Sequence, residues 1–183
     1  AFQGFYLALS GQAVNVTFNP DDRATPVPDD FRYDEWGGGT DLAIGYAFSP
    51  IFSWELGGSA SVFDAHPKNT NVVSLDARIT GYLSFLPEWR VHPVLIGGVG
   101  VSAFGWFGDD FTDRLYASGR GDLGAGLRFR VSRRFVVRAD FIYSTHDVER
   151  EVLDLEDEGD ADLRHVDGSA FSRTVRVGLA WDF

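Results

Sequence analysis

Eight stretches of the chain alternate apolar residues with polar or small ones at a period of two. In the last stretch, 171–183, the apolar residues occupy odd positions. These are Val175, Val177, Leu179, Trp181 and Phe183. Successive side chains of a β-strand point to opposite faces, so each stretch predicts a strand with one apolar face. The other seven begin near residues 5, 40, 52, 73, 91, 122 and 135.

The connections between these strands alternate between long and short. The short ones are the turns Ser49-Pro50, Leu86-Pro87-Glu88 and Ser132-Arg133. The long ones are the polar ranges of about 15–39, 64–70, 105–117 and 146–170. An up-and-down sheet places all its short turns at one end and all its long loops at the other. The pattern predicts a single all-β domain over 1–183, an eight-stranded antiparallel up-and-down transmembrane β-barrel.

Two other folds compete with this interpretation. A membrane helix over 91–107 fits the absence of formal charge, but Pro93 and four glycines favour a strand there. A lipocalin-like barrel would turn the apolar faces inward and the charges to water. The aromatic residues argue against it, because several lie on the apolar parity beside the short turns, as in an interfacial girdle. These are Phe48, Phe52, Trp54, Phe85, Phe129 and Phe135.

The opposite parity of the strands carries charges of both signs among many glycines. The charged set is Glu55, Asp76, Arg78, Asp122, Arg128, Arg138, Asp140 and Arg176. Eight strands enclose a space only wide enough for side chains to fill, and charges withdrawn from water must pair. With Tyr6, Tyr82 and Ile142 adding bulk on the same face, we expect a lumen closed by a network of ion pairs.

Composition narrows the class further. The formal net charge is -11 and the pI is about 4.6, which argues against nucleic acid as a partner. The chain has no cysteine, so it has no disulfide framework and no thiolate metal site. It also has no methionine and begins with Ala1, which predicts that a signal peptide has been removed.

Candidate chemistry is sparse, and no cofactor is expected. Ser144 and His146 share one face, followed by Asp147, but no complete triad is identifiable. The range 154–165 resembles part of a calcium loop, with Gly159 sixth and His165 where a glutamate should stand. Its candidate metal ligands are Asp154, Glu156, Glu158 and Asp160. We interpret the first pattern as a polar strand end entering a loop, and the second as a solvated acidic loop.

Four motifs carry a resemblance to a known family. They read G-F-Y-L-A-L-S-G at 4–11, H-P-V-L-I-G-G-V-G-V at 92–101, L-G-A-G-L-R-F-R at 123–130 and T-V-R-V-G-L-A-W-D-F at 174–183. With the strand rhythm, they resemble the small OmpA-type and OmpX-type barrels of the bacterial outer membrane. The resemblance implies periplasmic termini and extracellular loops. It also implies an assembly signal in the closing strand, formed by Val177, Leu179, Trp181 and Phe183.

The partners implied by this resemblance are outer-membrane lipids, lipopolysaccharide and the outer-membrane assembly machinery, with a protein partner at the extracellular loops. The first function expected is a non-enzymatic barrel that is structural, adhesive or partner-binding. The alternative is a narrow channel or transporter for small molecules, hydrophobic ones among them. A lipid-modifying enzyme is a third class, and the Ser144 and His146 pair is its only support in the sequence.

Overall fold

The strands close into one barrel. The computed structural model of the protein describes residues 3–18, 36–65, 70–108, 111–149 and 167–183. Its strands are β1 (Gly4–Phe18), β2 (Trp36–Ala47), β3 (Phe52–Ala65), β4 (Thr70–Ser84), β5 (Val91–Gly108), β6 (Phe111–Arg130), β7 (Phe135–Glu149) and β8 (Asp167–Asp182). Every neighbouring pair is antiparallel, and β1 also pairs with β8. The predicted eight-stranded up-and-down barrel is therefore confirmed.

Exposure alternates along every strand and shows which face is outside. The large apolar residues point outward, as with Leu9, Val99 and Leu123, which are 60%, 65% and 73% exposed. Their neighbours along the chain point inward and are buried, as with Ser10 and Asp122. This is the parity predicted for a membrane barrel and the reverse of a lipocalin. The described residues contain no helix long and apolar enough to cross a membrane, and the uncharged stretch 91–107 lies in β5.

The three short turns lie at one end of the barrel, called here the turn end, and the long connections lie at the loop end. Two of the turns share one device, in which a serine hydroxyl accepts hydrogen bonds from backbone N–H groups two and three residues later. Ser49 Oγ does so in the first turn, and Ser132 Oγ in the third. The start of β1 and the last residue lie here too, since the Phe183 N–H donates to the Phe5 carbonyl at 3.1 Å.

Aromatic side chains surround the turn end on the outer surface. Phe48 stacks on Phe52 with ring centroids 5.8 Å apart, and Phe135 stacks on Trp181 at 6.0 Å. Five of the six predicted girdle residues are exposed there, and Trp54 is partly exposed. Amphipathic and aromatic rings concentrate at the boundary between hydrocarbon and headgroups. The girdle therefore marks one edge of the membrane-facing band.

The strands run further toward the loop end than the alternation predicted. β1 continues to Phe18 and β2 begins at Trp36, so both ends of the predicted loop 15–39 are strand. The predicted loop 105–117 is mostly hairpin, with Gly108 paired to Phe111 and a register shift between Trp106 and Gly108. The predicted loops 64–70 and 146–170 also begin and end in strand. Ladder hydrogen bonds join backbone groups, so pairing continues where side-chain alternation has stopped.

Candidate functional site: the charged lumen

Among the residues that the structure describes, the inner face of the barrel carries ten charged side chains that form ion pairs. Five are carboxylates and five are guanidiniums, and none is more than 11% exposed. They are Asp41, Glu55, Asp76, Asp122 and Asp140, with Arg78, Arg120, Arg128, Arg138 and Arg176. The strand alternation aims each of them inward, because an outward charge would lie in lipid at a cost of about 2–4 kcal/mol near the midplane. The two signs are balanced within the set.

Most of these groups belong to one connected network, the central cluster. Its members are Asp41, Glu55, Arg78, Tyr82, Arg128, Arg138, Asp140 and Arg176. Arg138 lies in its middle and donates from Nη1 to Glu55 Oε1 at 2.6 Å. Its Nη2 donates to the Tyr82 hydroxyl at 2.7 Å and to Asp140 Oδ2 at 3.1 Å. The Tyr82 hydroxyl in turn donates to Glu55 Oε2 at 2.7 Å. Glu55 thus has a partner on each oxygen.

A second guanidinium extends the network across the lumen. Arg176 Nη2 donates to Asp140 Oδ2 at 2.9 Å, and its Nη1 donates to Asp41 Oδ1 at 3.2 Å. Arg78 pairs with the other oxygen of Asp41, and Arg128 with the other oxygen of Asp140. Pairs therefore link β3, β7, β8, β2, β4 and β6 across the interior. Charge-assisted hydrogen bonds are the stronger kind, and shared partners make such a network cooperative.

A smaller group, the upper cluster, lies nearer the loop end. It consists of Ser59, Asp76, Ser102, Arg120 and Asp122. Asp76 accepts from Ser59 Oγ at 2.8 Å and from Ser102 Oγ at 2.5 Å. Arg120 bridges the two carboxylates, with Nη1 3.0 Å from Asp76 Oδ1 and Nε 2.6 Å from Asp122 Oδ1. These contacts tie β3, β4, β5 and β6 together above the central cluster.

Glycines opposite the large inward side chains make this packing possible. A Cβ at Gly126 would collide with the Asp140 carboxylate and crowd Arg128 Nη1. A Cβ at Gly45 would collide with the ring of Tyr6. The small residues of the inner face are therefore places where a ring or an ion pair crosses the lumen.

All eight residues predicted for the lumen lie in these two clusters. Two further members, Asp41 and Arg120, were not predicted. Asp41 shares its parity with the inward residues of β2, so its signal was present in the alternation. Arg120 lies two residues before Asp122, between the end of the predicted loop at 117 and the predicted start of strand six near 122. Its inward position follows only once β6 is known to begin at Phe111.

The residues considered for catalysis do not assemble into a reactive pair. His146 Nε2 lies 2.9 Å from Ser172 Oγ, and Ser144 Oγ has no hydrogen-bond partner among the described residues. Asp147 is exposed on the opposite face. The cavity beside His146 measures about 10 Å³, which is room for one water molecule at most. A serine and a histidine so enclosed have no space for a substrate.

Two sets of sequence candidates remain, the assembly signal and the metal ligands. The assembly-signal residues Val177, Leu179, Trp181 and Phe183 are all exposed on the outer face of β8. The metal candidates Asp154, Glu156, Glu158 and Asp160 lie outside the described residues. Within the described ranges, no three histidine or acidic side chains are grouped closely enough to hold a metal ion.

Comparison with solved structures places this geometry among outer-membrane barrels. The crystal structure of Neisserial surface protein A matches with a TM-score of 0.70 at 12% identity, covering 98% of this chain and 97% of that one. Ail, the attachment invasion locus protein of Yersinia pestis, matches with a TM-score of 0.60 at 14% identity over the whole of both chains. Ail in complex with the heparin analogue sucrose octasulfate matches with a TM-score of 0.56. No protein-family model and no curated protein matches the sequence. At these identities the likeness establishes the fold of the small outer-membrane β-barrels.

Proposed function

We propose that this protein is a non-enzymatic barrel of the bacterial outer membrane that presents its long connections at the cell surface, for adhesion or for binding a partner, and that ion pairs close its lumen. The observation that carries the proposal is the inverted polarity of the barrel wall. Large apolar side chains cover the outside, and ten of the described charged side chains are paired inside. Only a lipid environment makes that arrangement favourable over the height of the wall.

The turn end faces the periplasm in this proposal, and the long connections face outward. Short periplasmic turns and longer extracellular loops are the usual arrangement in such barrels. Phe183 and Trp181 then stand at the periplasmic edge, 5.1 Å apart between ring centroids, where the assembly machinery would meet the closing strand. Lipids and lipopolysaccharide surround the outer face.

The proposal of a closed lumen is supported by the number of strands that the central cluster connects. Its ion pairs connect six of the eight strands, and Tyr82, at 2% exposure, fills the space between the two guanidiniums. An ion entering this region would have to separate charge-assisted hydrogen bonds between groups that are withdrawn from water. We therefore assign the cluster to sealing and stabilising the barrel.

The surface role rests on the charge of the connections at the loop end. The ranges 19–35 and 150–166 contain thirteen acidic and four basic residues. Such segments would attract a basic partner and repel a polyanion. Ail, which shares the fold, has been crystallised with a sulfated heparin analogue. For this protein we propose the opposite charge preference, namely a cationic protein surface as the partner.

Cell binding tests the surface role. Two variants would each replace 19–35 or 150–166 with a short turn, and a third would change the acidic residues of 150–166 to their amides. We expect all three to reach the outer membrane in folded form and to lose binding to the partner cell or protein. A matched control replaces 66–69, which contains one lysine and no acidic residue. Unchanged binding by both deletion variants would contradict the surface role.

A narrow channel or transporter is the second candidate function. The observation in its favour is a cavity of about 420 Å³ that enters the barrel from the turn end. That cavity ends against Glu55, Tyr82 and Arg138 of the central cluster. Transport would therefore require the cluster to rearrange in each passage. Conductance measurements distinguish this candidate from the closed barrel.

A further inference from the structure

The cavity at the turn end has features of a binding site that the sealing role does not use. We call it the vestibule. It holds about 420 Å³, within the range of small-ligand pockets, and its walls combine aromatic and aliphatic side chains with serine hydroxyls. Tyr6, Val94 and Val136 contribute apolar surface, and Ser53 and Ser84 contribute hydroxyls. Its inner end is the central cluster, so the vestibule is a pocket with one mouth.

Its charge is unbalanced toward the positive. The vestibule is lined by four arginines, His92 and two carboxylates. The arginines are Arg128, Arg130, Arg133 and Arg138, and the carboxylates are Glu55 and Asp182. Glu55 and Arg138 neutralise each other through two hydrogen bonds of 2.6 and 3.1 Å. Arg128 is paired with Asp140 beyond the lining, so Arg130 and Arg133 remain to face the single carboxylate of Asp182. This local excess of positive charge contrasts with the whole chain, which is strongly acidic.

One of these guanidiniums is fixed in place with donor capacity left over. Arg128 Nη1 pairs with Asp140, and its Cζ lies 5.0 Å from the centroid of the Tyr82 ring. Its Nη2 is buried and has no hydrogen-bond partner among the described residues. An unpaired charged donor is costly to bury. Because Nη2 is fully buried, an anion in the vestibule would satisfy it after a small rotation of the Arg128 guanidinium toward the cavity that this side chain lines.

The other two guanidiniums stand toward the mouth. Arg130 Nη2 donates to the Pro87 carbonyl at 3.0 Å, which uses one of the five N–H donors of this lining side chain. Arg133 lies on the third turn and is exposed. Planar guanidiniums suit the tetrahedral oxygens of a phosphate, which they bind by paired N–H donors.

We infer that the vestibule binds a small phosphorylated solute on the turn-end side of the membrane. The phosphate group is held among Arg128, Arg130 and Arg133, and the rest of the molecule packs on Tyr6 and Val94. The volume admits a ligand as large as a hexose phosphate. Because the central cluster closes the inner end, the ligand is bound and released from the same side. Free phosphate offers the same anionic group without the part that would meet the walls.

Calorimetry on the full chain, folded in an uncharged maltoside detergent and a chloride buffer, tests this inference. The probes are inorganic phosphate, glucose 6-phosphate and glucose. We expect saturable one-to-one binding of glucose 6-phosphate, weaker binding of phosphate and none of glucose. Equal affinity for the two anions would limit the site to free phosphate and overturn the role of the apolar walls. No saturable binding of either anion up to tens of millimolar would overturn the site itself.

Neighbouring arginines on one turn provide a matched pair of variants. Arg133→Gln removes a lining guanidinium from an exposed turn, and Arg134→Gln makes the same charge change one residue away, outside the lining. We expect about a tenfold or greater loss of anion affinity for the first, since it removes a charge-assisted hydrogen bond, and less than a twofold change for the second. Equal losses in both variants would show diffuse attraction and contradict a defined site. Arg128→Gln should abolish binding while the heat-modifiable folded band on gels is retained.

Discussion

The inner and outer faces of each strand differ sharply in polarity and in solvent exposure, whereas the eight strands resemble one another. In β7, Arg138 and Asp140 are 1% and 3% exposed, and Phe141 beside them is 51% exposed. A water-soluble protein buries its apolar side chains and exposes its charges. The barrel reverses this rule because lipid surrounds it and side chains fill the middle of its interior, beyond the vestibule. The buried charges of this protein are therefore paired with one another, and most of its large apolar side chains face outward, toward lipid.

The largest loss of stability should come from removing one partner of an ion pair in the lumen. Arg138→Met leaves Glu55 buried without its main partner, and we expect a loss of roughly 3–5 kcal/mol in the free energy of unfolding. Urea titration in lipid vesicles, followed by tryptophan fluorescence, measures it. The double variant Glu55→Gln with Arg138→Met should regain much of the loss, because no charge is left unpaired. A loss below about 1 kcal/mol for Arg138→Met would contradict the buried network.

The reverse test puts a charge on the outer face. Ala139 lies midway between the outward aromatic residues Phe135 and Tyr143 of β7, at the centre of the apolar band. Ala139→Arg should cost about 2–4 kcal/mol in the same titration, and Thr145→Arg, on the same face beyond Tyr143, about 0–1 kcal/mol. Equal costs at the two positions would mean that depth in the membrane does not govern the outer face.

A third test separates the faces by volume, with no change of charge. At Gly45 an added Cβ meets the Tyr6 ring, and at the outward Gly97 nothing lies within 4 Å. Gly45→Ala should lower stability by roughly 1–3 kcal/mol, as overpacking does. Gly97→Ala should change it by less than about 0.5 kcal/mol. Similar values for the two variants in urea titration would show that the lumen is not tightly packed.

The smallest loss of stability should come from substituting an aromatic residue of the girdle at the turn end. Phe183→Ala removes one ring of the Trp181 pair, and we expect a loss of about 0.5–1.5 kcal/mol. The amount of folded, heat-modifiable barrel in the outer membrane of cells should fall by more than this modest loss explains. Normal assembly in cells would remove Phe183 from the proposed signal. Phe48→Ala, at the same height but away from the closing strand, is the control.

Strand alternation predicted the barrel because the same physics acts on every membrane-facing residue. Leu95 or Val175 must face lipid, and a neighbour such as Arg176 must then face the lumen. The prediction failed where that constraint ends. Beyond the apolar band the strands continue by backbone pairing, as at 105–108 and 111–117, where the sequence does not alternate.

The sequence predicted which charged residues face the lumen, but it did not predict which of them form ion pairs with each other. Parity alone shows that Glu55, Arg138 and Arg176 point inward. Which charges meet depends on the stagger between strands and on the breadth of the interior, and neither quantity is present in the alternation. Asp41 was omitted from the predicted set, although its parity on β2 indicates that it faces the lumen. The inward position of Arg120 could not be predicted in the same way, because β6 was predicted to begin two residues after it.

Conductance of the purified protein in planar bilayers tests the central claim most directly. A lumen sealed by the central cluster predicts a quiet membrane, with at most brief openings of small conductance as ion pairs exchange partners. In the same chamber, Arg138→Met should open more often, because it removes the guanidinium in the middle of the cluster. Stable, porin-sized steps from the unmodified protein would contradict the closed lumen and establish the channel as its function.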